Sequence, residues 1–204
     1  MANNNLGAAH LADNPLLYEP QRTNNFYFIV NDIDGILRAA PSSYSANNQT
    51  IDDAQSKLFY SVSAVSFPYF TQDAIRIARG NSDMKVAGKP SFGDGSLTIR
   101  DFIGTDGKSV LMAWQALSYD VETEAVGRMA SYKKDCTLIE YTPDNTEVVR
   151  YYDLKGCWVG GIGSVERSYD GNDAATVQAT IYFDKAIMRV PETETPVQSP
   201  ITTA

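Results

Sequence analysis

Few residues in this sequence have the types and spacing that catalysis requires. His10 is the only histidine among 204 residues, and a nucleophile–histidine pair would have to recruit it from an Asn-rich N-terminal segment. The pairs Asp52–Asp53 and Glu122/Glu124 bring carboxylates together, but nothing near them supplies the environment that would separate their pKa values for acid–base work. A surface histidine and solvated carboxylates are therefore favoured, and we predict no catalytic residues and no enzyme activity.

Two short motifs resemble ligand-binding sequences without completing them. Residues 31–35 (Asn-Asp-Ile-Asp-Gly) are similar to a calcium loop, but its first and twelfth ligand positions would be Val30 and Pro41 instead of carboxylates. A turn in which aspartate side chains bond to their own backbone is the better interpretation. Residues 160–163 (Gly-Gly-Ile-Gly) are glycine-rich like a phosphate loop, but no helix-forming sequence follows them. We predict a flexible turn there, and neither a cofactor nor a metal site.

One cationic motif favours a protein contact. Tyr132, Lys133 and Lys134 place two positive charges beside an aromatic ring, which could grip a phosphate. Because the whole chain has a net charge of −8, contact with an acidic partner surface is favoured over a phosphate site. Together with Lys155, these three residues are the candidate subunit contacts.

The densest sheet-forming sequence runs from Ser131 to Asp184. Strands are predicted at 134–141 and 147–154 around a Pro-Asp-Asn turn, and again at 174–184. The last of these alternates between an apolar face and a wettable face with a period of two, as a strand that covers a core on one side does. The apolar face holds Ala175, Val177, Ala179, Ile181 and Phe183, and the wettable face holds Thr176, Gln178, Thr180, Tyr182 and Asp184.

The remaining elements predict a mainly β fold, with two packed sheets in a β-sandwich or small barrel and one α-helix. Further strands are predicted at 24–30, 58–69, 74–79, 84–87 and 96–102. The helix begins at a Thr105 or Asp106 cap and buries Val110, Leu111, Trp114 and Leu117. We expect an N-terminal arm (1–23), one domain (24–186) with a long loop or insertion (31–57), a loop or short helix (121–129), and an extended C-terminal tail (187–204).

Composition argues against two broad classes of protein. Hydrophobic residues make up 43% of the chain and charged residues 21%, which is ordinary for a chain that buries a core. A net charge of −8 argues against gripping nucleic acid through clustered Lys and Arg. No run of about 18 apolar residues occurs, so no membrane anchoring is expected. Residues 1–7 lack the features of a signal peptide, so assembly in the cytoplasm is expected.

The two cysteines, Cys136 and Cys157, are expected to stay unpaired within the subunit. If the turn at 142–146 closes a hairpin, Cys136 lies opposite Asp153, and Cys157 lies about 13 Å further along at roughly 3.3 Å per residue. A disulfide needs Cα atoms within about 7 Å. We therefore expect two buried small apolar side chains, with a bridge between neighbouring subunits as the alternative left open.

In this order the elements resemble the tail tube proteins of contractile-tailed, T-even-like bacteriophages. The resemblance covers residues 24–30 and 58–186, whereas 31–57 and the residues after 186 look additional. Six short sequence motifs carry the resemblance: residues 25–28 (Asn-Phe-Tyr-Phe), 84–90 (Met-Lys-Val-Ala-Gly-Lys-Pro), 91–99 (Ser-Phe-Gly-Asp-Gly-Ser-Leu-Thr-Ile), 112–115 (Met-Ala-Trp-Gln), 132–134 (Tyr-Lys-Lys) and 154–158 (Leu-Lys-Gly-Cys-Trp).

The resemblance implies a hexameric ring in which each subunit lends strands to one continuous inner β-barrel. It further implies that rings stack into a hollow tube inside a contractile sheath, between a baseplate and a tail terminator. The tape measure protein and transiting DNA would occupy the lumen, and the protein would be located in the virion tail. The alternatives are a tube-initiating baseplate relative, a bacterial secretion or contractile-injection tube protein, and a monomeric β-sandwich module that binds ligands on Tyr and Trp.

The wall of a conduit through which DNA passes should not bind the DNA tightly. A basic wall would add a phosphate contact at every ring and stall transit, whereas a neutral or acidic polar wall keeps the polyanion sliding. We therefore predict that the wettable face of residues 176–184 faces the lumen. Open sheet edges invite pairing with another chain, and a closed ring of copies would remove them.

Overall fold

Antiparallel strands make up most of this protein. The computed structural model describes residues 20–40, 52–103, 107–163 and 173–191. The strands in these ranges are β1 (Phe26–Val30), β2 (Val62–Ser66), β3 (Phe70–Arg79), β4 (Ser82–Phe92), β5 (Gly95–Arg100), β6 (Tyr119–Asp120), β7 (Ala125–Val126), β8 (Lys134–Tyr141), β9 (Val148–Ile162), β10 (Thr176–Tyr182) and β11 (Lys185–Arg189). The helices are α1 (Ile33–Ala39), α2 (Asp52–Ser61), α3 (Gly107–Ala116) and α4 (Met129–Tyr132).

Strand β9 joins two sheets around one core. The strand path runs β1-β8-β9-β10-β5-β2, with β11 also paired to β9. The first two-thirds of β9 pairs with β8 and β11, and its last residues pair with β10. Gly156 has a φ of 67°, which favours glycine, close to the point where the partner of β9 changes. The predicted mainly β fold of antiparallel sheets is therefore confirmed.

The core forms where β5, β10 and α3 meet. Leu97 and Ile99 of β5 are fully buried, as are Leu111 and Trp114 of α3. The indole Nε1 of Trp114 donates a hydrogen bond of 2.7 Å to the carbonyl oxygen of Tyr132, so the largest core side chain leaves no unpaired donor. The predicted helix and its buried face are confirmed, whereas its predicted caps at 105–106 lie outside the described residues.

The prediction of one helix is wrong. Helix α1 occupies part of the segment that was expected to be a loop, and Asp32 caps it by accepting a hydrogen bond of 3.2 Å from the Gly35 backbone N–H. Residues 58–61, expected in a strand, form the last turn of α2. Leu58 and Ser61 are both buried at a helical spacing of three, but the adjacent aromatic residues between them made the stretch resemble a strand.

Most strand predictions are confirmed, with different ends in several places. Strand β8 spans the predicted residues, and β10 buries every second side chain. The hairpin predicted around residues 80–83 is confirmed but is far longer, reaching from Phe70 to Phe92. Residues 121–129, predicted as a loop or short helix, contain a turn at 121–124 that leads from β6 into β7, and α4 begins at Met129. Strand β11 continues to Arg189, so the first residues assigned to the C-terminal tail lie in a sheet. Residues 1–19 of the predicted arm lie outside the described residues.

The predicted register of the cysteines is wrong, although their burial is confirmed. Cys136 lies opposite Leu154, and Cys157 lies opposite Lys134, because two bulges shift the β8–β9 register. A count of residues from the turn does not include such bulges. The two thiols are free and buried in the core of the subunit. Burial raises the pKa of the Cys136 thiol well above its ordinary value, and the alternative of a bridge between subunits stays a prediction.

Candidate assembly surfaces

The described residues contain no arrangement for metal chemistry. Within the ranges 20–40, 52–103, 107–163 and 173–191, no group of three or more His, Cys, Asp and Glu side chains could hold a metal ion. None of the helices in those ranges has the length and apolar character needed to cross a membrane. His10 lies outside the described residues, and Glu122 and Glu124 are exposed on the β6–β7 turn.

The outer face of β10, β5 and β2 is rich in hydroxyl and amide groups. Thr176 is exposed on it, while the intervening residues of β10 are buried, as the alternation predicted. Arg100 lies opposite Thr176 and adds a positive charge at one end. The register of the three strands groups small polar side chains: Ser66, Ser96, Thr98, Gln178 and Thr180.

The Tyr182 end of this face is built differently. The ring centroid of Tyr182 lies 4.8 Å from that of Trp158, and the ring covers Gly160 so closely that any Cβ there would collide with it. Residues 160–162 therefore continue β9 as a strand, and the predicted flexible turn is wrong. The glycine makes room for an aromatic ring from the neighbouring strand.

The three lysines among the predicted subunit contacts have acidic partners within the subunit. The ring of Tyr132, the fourth candidate, lies 5.7 Å from that of Trp158. These ion pairs join β8 and the residue before it to the start of α1, to β9 and to the residue before β11, and a role between subunits stays a prediction. The Nζ-to-carboxylate distances are 2.6 Å for Lys133–Asp184, 2.6 Å for Lys134–Asp32 and 2.7 Å for Lys155–Asp135.

These ion pairs shift the ionisation of their carboxyl groups. The hydrogen bond from Lys155 holds the pKa of Asp135 below its ordinary 3.8, and the Gly156 backbone N–H adds a second donor at 3.2 Å. The same carboxylate raises the pKa of Lys155. The hydrogen bond from Lys134 likewise lowers the pKa of Asp32. Since these groups are partly exposed, solvent screening keeps their contribution to stability small.

The β3–β4 hairpin is an extended surface that the described part of the subunit leaves exposed. In the described part of the chain the two strands pair only with each other, and every side chain of β3 is exposed. Its apolar face consists of Ile75, Ile77, Met84 and Val86, with exposed fractions of 54%, 44%, 56% and 38%. Its basic face consists of Ala74, Arg76, Ala78, Asp83, Lys85 and Ala87. An isolated two-stranded ribbon is at best marginally stable in water, so this hairpin calls for a covering partner.

A chain of aromatic rings anchors the root of the hairpin to the core. Phe92 at the end of β4 lies 5.8 Å from Phe183, and Phe183 lies 5.7 Å from Phe67. Phe67 in turn stacks at 5.5 Å on Phe28 of β1, which is buried. The hairpin therefore projects from a fixed root, and the side chains of its far part are exposed among the described residues.

Strands β1 and β2 lie at the two ends of the strand path, each with one open edge among the described residues. Both line one groove of about 1020 Å³ that also contains Tyr27, Phe59 and Tyr60. The rings of Tyr27 and Phe59 lie 4.7 Å apart in its wall. An open edge beside a groove that holds aromatic rings can pair with an extended strand from another chain.

The sequence is similar to that of a phage tail tube protein. The chain is 25% identical over 123 residues to tail tube protein gp19 of Enterobacteria phage T4, a match that covers 59% of this chain and 76% of the relative. The predicted resemblance to tail tube proteins is confirmed. No protein-family model matches the chain.

Two solved structures share the fold over most of the chain. One is the sheath–tube complex of an extracellular contractile injection system (PVC) in its extended state, with a TM-score of 0.58, 16% identity, and coverage of 90% of this chain and 98% of the matched chain. The other is the tube terminating cap of the anti-feeding prophage, with a TM-score of 0.59, 16% identity, and coverage of 84% and 91%. At these identities the likeness concerns the fold alone.

Sequence reasoning missed the surfaces that most need a partner. The pattern of residues 74–87 predicted a hairpin, but not that both of its faces would be exposed. The groove between β1 and β2 depends on the order of strands in the sheets, which no local pattern encodes. The sequence did contain a sign of the exposed apolar face. The apolar side chains at 75, 77, 84 and 86 pair with each other across the hairpin, and no neighbouring element in the sequence is predicted to cover them.

Proposed function

We propose that this chain is the repeating subunit of a phage tail tube, a self-assembling structural protein without catalysis. Hexameric rings of the subunit would stack into a hollow conduit for DNA ejection inside a contractile sheath. The observation that carries the proposal is the β3–β4 hairpin, which is anchored at its root and carries an apolar face that no other described part of the subunit covers. The match to gp19 of phage T4 supplies the biological setting.

Self-association explains why the open surfaces exist. The apolar face of one hairpin would be buried against the next subunit, and the open edges of β1 and β2 would take part in pairing between copies. Contacts of this head-to-tail kind close into a ring when the rotation between copies closes, and otherwise extend into a filament. A continuous inner β-barrel follows once each subunit lends its strands to the ring.

The hydroxyl-rich face would line the bore. Thr176, Gln178 and Thr180 are the strongest lumen candidates because their side chains lie on the open face of β10. Tyr182 and Asp184 stay in the candidate set, but one covers Gly160 and the other pairs with Lys133. A cysteine at position 178 tests the assignment, because maleimide-linked gold should then mark the axis of assembled rings. Gold on the outer circumference would contradict it.

The partners follow from the same setting. Tail sheath, baseplate and tail-terminator proteins would contact the tube from outside and at its ends, and the tape measure protein and DNA would pass through it. The protein would be assembled in the host cytoplasm and reside in the virion tail. A bacterial contractile-injection tube protein is the second candidate, favoured by the fold shared with the PVC complex. Neighbouring genes and the presence or absence of DNA in purified particles would separate the two.

Electron microscopy and sedimentation of the concentrated protein test the proposal directly. The wild type should form uniform hollow rings or rods, whereas Ile77→Asp/Met84→Asp should stay monomeric with an unchanged thermal midpoint. Val121→Asp/Val126→Asp is the matched control, because it places the same charges on exposed apolar positions in the β6–β7 turn and in β7. A wild type that remains monomeric at every concentration would return the chain to the β-sandwich binding module.

A further inference from the structure

The basic face of the hairpin carries an unfavourable arrangement within the single subunit. Arg76 and Lys85 lie directly opposite each other in the β3–β4 register, and like charges in such a pair are destabilising. Neither forms an ion pair with another residue in the ranges that the structure describes. The nearest carboxylate on that face is Asp83, which pairs with Ala78 in the register.

The small neighbours of this cationic pair favour close approach by another surface. Ala74 lies opposite Ala87 on one side of the pair, and Ala78 lies on its other side. The side chains of Arg76 and Lys85 therefore extend beyond the methyl groups of the neighbouring alanines. A flat partner could rest on the alanines while its carboxylates meet the guanidinium and ammonium groups.

Charge is distributed unevenly between the hairpin and the rest of the chain. Residues 70–92 contain four cationic side chains (Arg76, Arg79, Lys85 and Lys89) and two carboxylates (Asp73 and Asp83). The whole chain has a net charge of −8, so the part outside the hairpin is more acidic than that total. Charge complementarity therefore favours the body of a second copy as the partner of the basic face.

We infer that Arg76 and Lys85 form an electrostatic contact with carboxylates on the body of a neighbouring copy, which makes assembly dependent on salt. The inference rests on the proposed tube function and adds the chemistry of one of its interfaces. The repulsion between the two cations in the free subunit is relieved only in the assembly. Long-range attraction between a basic hairpin and an acidic body would also orient the incoming subunit.

Charge reversal with a matched control tests the inference. Arg76→Glu/Lys85→Glu should raise the protein concentration needed for rods by about tenfold or more at low salt, because it juxtaposes like charges across the interface. Arg79→Glu/Lys89→Glu shifts the net charge of the same hairpin equally but leaves the Arg76–Lys85 pair intact, so it should assemble much more like the wild type. High salt should narrow the difference between the variants. Circular dichroism confirms that each variant is folded.

Zero-length crosslinking identifies the partner. In rods assembled from mixed isotope-labelled and unlabelled copies, a carbodiimide should join Lys85 to an Asp or Glu of the other isotope. Lys85→Arg keeps the positive charge and should retain assembly while losing this crosslink.

Three outcomes would overturn the inference. If the wild type forms rods but Arg76→Glu/Lys85→Glu forms them equally well, the inference fails while the tube proposal stands. If the reversal abolishes binding of a duplex DNA oligonucleotide and leaves assembly unchanged, the basic face belongs to nucleic acid instead. If the wild type forms no rods at any salt concentration, the tube proposal fails and the inference fails with it.

Discussion

The body of the subunit and its long hairpin use similar strand sequences but reach opposite states of burial. Leu97 and Ile99 of β5 have no exposed surface, whereas Ile75 and Ile77 of β3 are 54% and 44% exposed. In both strands apolar residues alternate with polar ones. The difference is that β5 lies between β2 and β10 and beneath α3, while β3 has only β4 beside it in the described residues. The alternation in a strand therefore predicts which face is apolar, and the tertiary structure decides which element packs against that face.

The largest expected contrast between the two regions concerns stability. Trp114→Ala should lower the free energy of unfolding by about 3–5 kcal/mol because it empties the space of the largest buried side chain. Ile77→Ala, at an exposed hairpin position, should change it by no more than about 0.5 kcal/mol in the monomer. Urea denaturation of both variants below the assembly concentration measures the contrast. Equal losses would mean that the hairpin is part of the cooperative core.

A pair of adjacent glycines sharpens the distinction within the body. Gly160→Ala should cost about 1–3 kcal/mol, because the new Cβ collides with the ring of Tyr182. Gly161→Ala is the matched control, since a Cβ at Gly161 meets nothing within 4 Å. Thermal denaturation compares the two, and a Tyr182→Ala background should remove most of the Gly160→Ala penalty. Equal effects at the two positions would contradict the proposed contact.

The ion pairs of the body predict a smaller, pH-dependent effect. Because the pKa of Asp135 is lower in the folded state than its ordinary 3.8, the stabilisation is complete above that value and is lost as the pH falls through the folded-state pKa. Asp135→Asn should therefore be less stable than the wild type at pH 7, and the two should converge under strongly acidic conditions. Asp83→Asn on the hairpin is the control in the same urea titrations. A gap that widens on acidification would contradict the assigned ion pair.

The smallest expected effect concerns the two cysteines. In the native protein neither Cys136 nor Cys157 should react with a thiol reagent at pH 8, because both side chains are buried and the pKa of the Cys136 thiol is raised. Both should react after unfolding, and non-reducing gels of assembled rods should show only the monomer band. A disulfide-linked dimer band would require these side chains to reach the subunit surface.

The sequence predicted where strands occur much better than it predicted which residues they pair with and pack against. Alternation in β10 and the turn residues between β8 and β9 are local signals, and both predictions are confirmed. Helix α2 was missed because its last turn presents adjacent aromatic residues that resemble a strand. The cysteine register was missed because bulges change the pairing without a clear local signature.

The sequence by itself determined that the chain is mainly β, that Trp114 lies on the buried face of a helix, and that short motifs of the chain resemble those of tail tube proteins. These properties depend on side-chain periodicity and on residues close together in the chain. Only the tertiary structure decided that Lys133, Lys134 and Lys155 have partners in their own subunit, and that β3 and β4 pair with no other strand among the described residues. Ion pairing and burial depend on which elements meet in space. Because the free energy of a contact depends on two segments that are distant in the chain, the sequence of either segment alone does not predict it.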